Sequence, residues 1–352
     1  MTFGYPLLEH NTFGMDVRCA AWYEYASEEE LLAFLGSKAF DTYRDRFFCI
    51  GAGSNLLFLG DYDGLLLHSA MRTMTVVSDD DASVLLRAGS GCVWDDVAAW
   101  AAERHLYGAE NLSGIPGEVG ASAVQNIGAY GAEVCQLIES VETIDTDGQR
   151  RVFTNAECRY GYRDSIFKNE MKGRCIVVSV TYRLRKQGQL RLDYGKLREH
   201  LSAHSSAGKD ESLLLPADVR RAVMEIRAEK LPDPKVMGNA GSFFKNPIIP
   251  IEQYDHLKDV WMSIPSYPVD KEHVKVPAGW LIEQCGWKGR RLGLAAVHQN
   301  QALVLVNLGG ASGRDVSALA QRIMDDVKRK FDVDIAPEVN YIGRSLSPAA
   351  VL

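Results

Sequence analysis

The segment Gly114-Ile-Pro-Gly-Glu-Val-Gly-Ala-Ser-Ala-Val-Gln-Asn-Ile-Gly-Ala-Tyr-Gly131 decides how the chain is read. It holds five glycines, one proline, few charges and several small polar residues. Such a stretch offers no periodic core face and is too apolar for a solvated linker. A groove lined by backbone, around an extended neutral-to-anionic ligand, explains it; a buried irregular loop is the plainer alternative. Upstream, Phe47-Phe-Cys-Ile50 reads as a short buried strand running into Gly51-Ala-Gly-Ser-Asn55. Amides in tight glycine turns bind an anion without side-chain charge, although a plain turn has the same composition. A Rossmann fingerprint would need glycine at 56 and a helix after it. Position 56 is Leu, and Leu56-Leu-Phe-Leu59 reads as a strand. No Gly-Lys-Ser/Thr closes a Walker loop.

Outward from these segments, Leu65-Leu-Leu-His68 reads as a strand, as do 139–145 and 175–184 from their β-branched content. Residues 92–106 carry Val93, Val97, Trp100 and Ala101 at helical spacing. Ser, Ala, Gly and Asp around 200–216 mark a loop or boundary. A helix is expected over 217–229, with Val219, Val223 and Ile226 on one face, and Leu231-Pro-Asp-Pro ends it. A last helix near 313–330 and a terminal strand near 333–343 follow. The pattern is α+β with two or three lobes.

A chain of 352 residues is long for one core. Its 39 basic and 46 acidic side chains leave a net charge of −7, which argues against nucleic-acid or membrane-surface binding. Seven scattered cysteines without a C-x-x-C pair point to reduced thiols in a cytoplasm, with neither a metal site nor a disulfide framework. The N-terminus lacks a secretory pattern, and the apolar runs are shorter than a membrane span.

Together the two glycine segments resemble the FAD-binding lobes of the vanillyl-alcohol oxidase (PCMH) type. Tyr160-Gly-Tyr-Arg-Asp-Ser-Ile-Phe-Lys168, Leu231-Pro-Asp-Pro-Lys235, Gly238-Asn-Ala-Gly-Ser-Phe-Phe-Lys-Asn-Pro247, Ala278-Gly-Trp-Leu-Ile282 and Pro337-Glu338 follow in order. That set resembles the UDP-N-acetylenolpyruvoylglucosamine reductase (UDP-N-acetylmuramate dehydrogenase) family, from about Asn11-Thr-Phe-Gly14 to Ile342-Gly343. Leu192-Asp-Tyr-Gly-Lys-Leu197 is similar to the substrate-covering tyrosine segment of the family's longer form. The loop 202–214 and the tail after Gly343 match nothing.

The resemblance implies a two-lobed FAD-binding domain, with lobes at 1–70 and 71–215. A C-terminal α+β substrate-binding domain would span 216–335, and 336–352 would return to the active site. It implies FAD as cofactor, NADPH as hydride donor and UDP-N-acetylenolpyruvoylglucosamine as partner, in a cytoplasmic monomer of peptidoglycan precursor synthesis. FAD would be held by Gly51, Ala52, Gly53, Ser54, Asn55, Ile115, Pro116, Gly117, Gly120, Ser122, Asn126, Ile127, Gly128 and Val178.

Hydride from the flavin would reach the methylene carbon of the enolpyruvyl group, leaving an enolate to be stabilised and protonated. The resemblance makes Ser242 the proton donor, presented by the turn that the preceding glycine permits; an isolated serine there is otherwise a cap or turn residue. It makes Arg163 the partner of the substrate carboxylate, where a guanidinium fork fits; a lone arginine is otherwise a surface ion-pair partner. Glu338 would position or polarise the enolate end, which calls for a raised pKa or a contact with Arg163; it is otherwise a terminal-strand glutamate. Tyr162, Tyr194, Lys230 and Asn246 are similar to nucleotide-sugar-binding positions. Arg220, Arg221 and Arg227, on the helix before Lys230, suit a diphosphate or form a solvated face. His298 has no partner at useful spacing and reads as structural. Two other readings stay open: an oxidase of small alcohols on the same scaffold, though neither glycine loop carries His or Cys for covalent flavin, and a non-catalytic nucleotide binder.

Overall fold

The β-branched run Cys175–Arg185 forms the central strand of a five-stranded antiparallel sheet. On one side it pairs with Ile138–Asp145, which carries the edge strand Arg150–Thr154. On the other it pairs with Ser83–Gly89, which carries Met74–Asp79. Val180, Tyr182 and Leu184 of the central strand are buried. This is a computed structural model describing residues 1–205 and 210–343. Part of the 202–214 loop (206–209) and the tail after Gly343 lie outside the described residues.

Packing divides the chain into two units. The first comprises Met1–Tyr5, Ala20–Ala52 and Gly64–Glu229; the second comprises Pro6–Cys19, Gly53–Asp63 and the chain from Lys230 onward.

In the first unit the helix Trp94–Glu103 packs on the five-stranded sheet. Periodicity put Val93 on its inner face. Instead Val93 precedes the helix and is exposed, and Trp94 is the buried anchor. The Trp94 indole donates to Leu112 O at 2.9 Å and meets Tyr182 edge-on at 5.5 Å. A four-stranded sheet, ordered Thr2–Pro6, Arg18–Tyr25, Tyr62–Ser69, Phe47–Ile50, pairs its last two strands in parallel. The helix Glu28–Leu35 is N-capped by Ser27, and it buries Leu31, Phe34 and Leu35 with Leu65, Leu67 and Val178. Near 200–216, where composition suggested only a loop, Leu197–His204 is helical. Leu197 and Leu201, one turn apart, bury themselves with Val219, Val223 and Ile226 of helix Pro216–Lys230.

The second unit is built on an antiparallel sheet ordered Gly238–Ser242, Val304–Asn307, Ala295–Val297, Arg291–Leu292. Helix Gly313–Phe331 starts at a capping box of Ser312 and Asp315. It buries Val316, Leu319, Ala320, Ile323, Val327 and Phe331, the repeat of an amphipathic helix. Of the expected terminal strand, Asn340–Ile342 forms a ladder, in parallel with Leu56–Phe58, and Pro337 forms an isolated antiparallel bridge with Phe244. Leu56–Phe58 is therefore a strand, which removes the dinucleotide fingerprint on structural grounds as well.

Candidate functional site

The long glycine segment is not irregular throughout. Val119–Gln125 is a helix, and Gly128–Ala129 with Ala132–Glu133 is a small hairpin. The segment is pinned from behind by backbone: Trp94 N donates to Gly117 O, Val119 N to Cys92 O and Gly120 N to Ser90 O, at 2.9–3.0 Å. Ser122, Asn126 and Val178 are buried. Ser122 Oγ donates to Val119 O at 2.7 Å. Asn126 caps the helix in the left-handed conformation; its amide donates to Gly161 O at 2.7 Å, and its Oδ1 accepts from Cys135 N at 3.1 Å. These side chains hold the segment's shape from inside, which leaves backbone as its contribution to a ligand. Ile115, Gly117, Gly120, Ile127 and Gly128 are half-buried along it, and Pro116 is exposed.

Within the first unit the two glycine segments meet. A Cβ at Gly51 would lie 3.5 Å from Ala121 Cβ and 3.1 Å from Glu118 Oε2. Both Ala52 and Ala121 are exposed, and neither amide donates to a backbone carbonyl among the described residues. Two such donors beside one glycine fit the phosphates of a dinucleotide. Ala121 was not legible in the sequence, because an alanine chosen for its amide carries no compositional signal. Glu118 is buried beneath this turn and faces His68 Nε2 at 3.1 Å, while His68 Nδ1 faces Glu24 at 2.7 Å. Burial opposes charge on His68, but Glu118 and Glu24 outweigh it and raise the imidazole pKa above its ordinary value.

Arg163, also in the first unit, has a φ of +56°. Its guanidinium donates to Gly128 O and, at 3.3 Å, to Asn126 O, and Lys168 Nζ donates to Arg163 O at 2.9 Å. The structure thus ties Arg163 to the glycine segment. Tyr162 lies beneath the guanidinium, 5.2 Å from ring centroid to Cζ. Tyr194 is 40% exposed and edge-on to Tyr130 at 6.1 Å.

The second unit gathers Ser242, Glu338 and Asn55. Gly241, at φ +67°, bends the end of its strand through a register shift after Asn239, and Ser242 emerges exposed. Asn239 Oδ1 accepts from Gly241 N at 2.9 Å and holds the bend. The next residues bridge to the other motif: Glu338 N donates to Phe243 O at 2.7 Å and Lys245 N to Ala336 O at 2.9 Å. Asn55 Nδ2 donates to Glu338 O at 3.3 Å, and Asn340 N donates to Asn55 O at 3.0 Å. Gly53 and Ser54 lead into Asn55, and Gly53 O accepts from Thr12 N at 3.2 Å. Asn246 Oδ1 accepts from Ala278 N at 2.9 Å, so it is engaged at the start of helix Ala278–Gln284. Lys230 is half-buried at the end of its helix. The arginines before it divide: Arg220 forks onto Asp95 at 2.6 and 2.8 Å, Arg221 pairs with Asp218, and Arg227 turns toward Gly114.

A backbone cradle with open amides suits a dinucleotide cofactor, and the match to an FAD binding domain makes the class a flavoprotein. Residues 20–154 match the family model described as an FAD binding domain, and residues 233–342 match that of the UDP-N-acetylenolpyruvoylglucosamine reductase C-terminal domain. The UDP-N-acetylenolpyruvoylglucosamine reductase of Bacteroides fragilis (strain YCH46) is 51% identical over 338 residues, covering 96% of this chain and 99% of its own. That of Porphyromonas gingivalis (strain ATCC 33277) is 48% identical over 341 residues, covering 96% and 98%. The crystal structure of the Thermus caldophilus reductase shares the fold, with a TM-score of 0.66 at 23% identity over 96% of this chain and 97% of that one. The chain belongs to the UDP-N-acetylenolpyruvoylglucosamine reductase family, and it is an FAD-dependent oxidoreductase. The fold class expected from the resemblance, an FAD-binding domain of the PCMH type followed by a substrate-binding domain, is borne out. Among the described residues no helix is long and apolar enough to cross a membrane.

Proposed function

We propose that the protein reduces the enolpyruvyl ether of UDP-N-acetylenolpyruvoylglucosamine to the lactyl ether of UDP-N-acetylmuramate, with NADPH as donor, in the cytoplasmic synthesis of peptidoglycan precursors. FAD, when bound, would supply the redox chemistry, a hydride relay between NADPH and the methylene carbon. The cradle residues 51–55, 115–117, 120, 122 and 126–128, with Val178 behind them, hold that group through backbone amides and shape.

The chain's own side chains handle proton and charge. Ser242 Oγ gives a proton to the carbon next to the reduced methylene. Its acidity is slight, so its competence rests on position and on the high basicity of the enolate. Arg163 pairs with the substrate carboxylate, its guanidinium pre-set by the carbonyls of Asn126 and Gly128. Glu338 orients the enolate end. Tyr162, Tyr194, Lys230 and Asn246 receive the nucleotide sugar.

The observation that carries this reading is the bridge from 243–245 to 336–338, which brings the Ser242 turn and Glu338 together next to Asn55. Residues 242 and 338 are almost a hundred apart in sequence, and a non-catalytic binder has no use for that convergence.

The test is an anaerobic absorption titration. Flavin bands that bleach with NADPH and return on adding UDP-N-acetylenolpyruvoylglucosamine support the whole reading. Return only with oxygen would reject the substrate. In Ser242→Ala, bleaching by NADPH should persist, while reoxidation by substrate slows roughly 10²–10⁴-fold. Wild-type reoxidation in that variant would move the proton donor elsewhere.

A further inference from the structure

In the proposed function Tyr194 receives the nucleotide sugar, yet it stands where regular structure lapses. Between strand Cys175–Arg185 and helix Leu197–His204 the described chain joins no ladder. Side chains must therefore fix its course and satisfy its carbonyls. Leu192 and Leu197 are buried on either side of Tyr194, in a cluster against which Tyr130 and Leu190 also pack. They hold the ends of the segment, while Tyr194 itself stays 40% exposed.

Asn111 ties this segment to the glycine segment. It is 1% exposed, within the turn Glu110–Leu112, and Leu112 O accepts from the Trp94 indole at 2.9 Å. The turn is thus part of the core of the first unit. From there Asn111 Nδ2 donates twice, to Tyr130 O at 3.0 Å and to Arg191 O at 2.9 Å. Arg191 returns the link: its Nη1 donates to Gly131 O at 3.0 Å and to Gln136 Oε1 at 2.6 Å. The end of the glycine segment is so joined to a residue three positions before Tyr194. Tyr194 rests on that joint. Its ring is edge-on to Tyr130 at 6.1 Å, and a Cβ at Gly131 would lie 3.9 Å from Tyr194 Cβ and Cδ2.

Few side chains could replace Asn111. Carbonyl oxygens only accept, so a buried group between two of them must donate twice from one atom and stay neutral. A primary amide does this, whereas a carboxylate of the same shape would set oxygen against oxygen. The consequence falls on binding. A tyrosine already fixed when its ligand arrives loses little freedom on contact, and that saving appears as affinity.

We propose that Asn111, with Arg191, is a positioning residue that fixes Tyr194 against the end of the glycine segment and so pre-sets it for the nucleotide-sugar substrate. The proposal rests on Tyr194 being a substrate-binding residue.

The test is a double-mutant cycle on the oxidised holoenzyme, with the dissociation constant of UDP-N-acetylenolpyruvoylglucosamine measured by titration calorimetry. Asn111→Leu keeps the branching of the side chain and removes both donors. With Tyr194 present it should raise that constant about tenfold. In the Tyr194→Ala background it should raise it by no more than about twofold, because no ring is left to position. Equal factors in the two backgrounds would make Asn111 merely structural and overturn the proposal, as would an unchanged constant in Asn111→Leu. Wild-type affinity in Tyr194→Ala alone would instead remove Tyr194 from the substrate, and the proposal with it, so the two failures are told apart. Arg191 is exposed, and Arg191→Met provides a second route should Asn111→Leu fail to fold. It should raise the constant about threefold, and only while the tyrosine is present. A loss of the same size without the tyrosine would overturn the proposal.

Discussion

His68 shows how one residue sets the charge beneath the Gly51 turn. Both ring nitrogens face carboxylates, Glu24 at 2.7 Å and Glu118 at 3.1 Å, and only the imidazolium donates to both. Its pKa is raised above the ordinary value near 6.5 despite burial. A group whose folded-state pKa is raised stabilises the fold fully below its unfolded pKa, and that stability fades as pH climbs through the folded value. Wild type is therefore expected to lose thermal stability, relative to His68→Gln, as pH rises from about 6.5. Because Glu118 lies beneath Gly51, deprotonation also leaves a bare carboxylate beside the phosphate cradle, and FAD retention should weaken over the same interval. Parallel melting and FAD-release curves across pH check both. A stability difference between wild type and variant that stays flat with pH would show that folding does not raise the His68 pKa.

Arg163 is tested at the same scale by truncation. In Arg163→Ala, substrate binding and the reoxidation of reduced FAD by substrate should weaken together, while reduction by NADPH holds. Lysine should not restore function, because a point charge cannot replace the fork fixed by the carbonyls of Asn126 and Gly128. Substrate half-reaction rates like wild type would remove Arg163 from the carboxylate.

At the scale of the element, two glycines with similar backbone angles separate folding from catalysis. Gly53 has φ +64° and a Cβ there would sit 2.0 Å from His10 O; Gly241 has φ +67° with nothing within 4 Å. Gly241→Ala therefore meets only conformational strain, about 1–2 kcal/mol, and the strand end persists with Ser242 displaced. Its melting point should fall a little and its second half-reaction a great deal. Gly53→Ala forces backbone apart and should cost stability before it costs chemistry. Calorimetry paired with stopped-flow kinetics distinguishes them; equal stability losses in the two variants would contradict the argument. Legibility in sequence follows the same division. Helix Gly313–Phe331 and strand Cys175–Arg185 were readable because periodicity and β-branching are local. Helix Val119–Gln125 was hidden, since its one glycine and its small residues are held helical by Cys92 and Ser90 carbonyls from elsewhere in the chain. Glu338 and Ser242 were nameable only by resemblance, and their bridge is a tertiary fact that spacing does not encode.

At the scale of the molecule, a net charge of −7 faces a cofactor and substrates that are themselves anions. Long-range attraction therefore does not recruit them, and the phosphates of FAD must be held at short range. In the reading proposed above, the uncharged amides of Ala52 and Ala121, which donate to no backbone carbonyl among the described residues, would do this. Of the three arginines that sequence suggested for a diphosphate, Arg220, Arg221 and Arg227, the first two are committed to Asp95 and Asp218. Binding by amides responds to salt differently from binding by a basic patch. Added salt screens the repulsion between −7 and the incoming anion, which acts over a Debye length of about 8–10 Å at 0.1–0.15 M, and it leaves the short hydrogen bonds intact. The dissociation constant for FAD should stay level or fall slightly as salt rises. Saturating FAD, at about 100 times that constant, should add about 2.7 kcal/mol to the stability of the unit that holds it. For folded units of roughly 150–250 residues, each kcal/mol corresponds to about 2–4 °C in Tm, so the shift is readily measured by scanning calorimetry at several salt concentrations. A shift that shrinks steeply with salt would mean that side-chain cations hold the phosphates, and the amide cradle would be the wrong account of FAD binding.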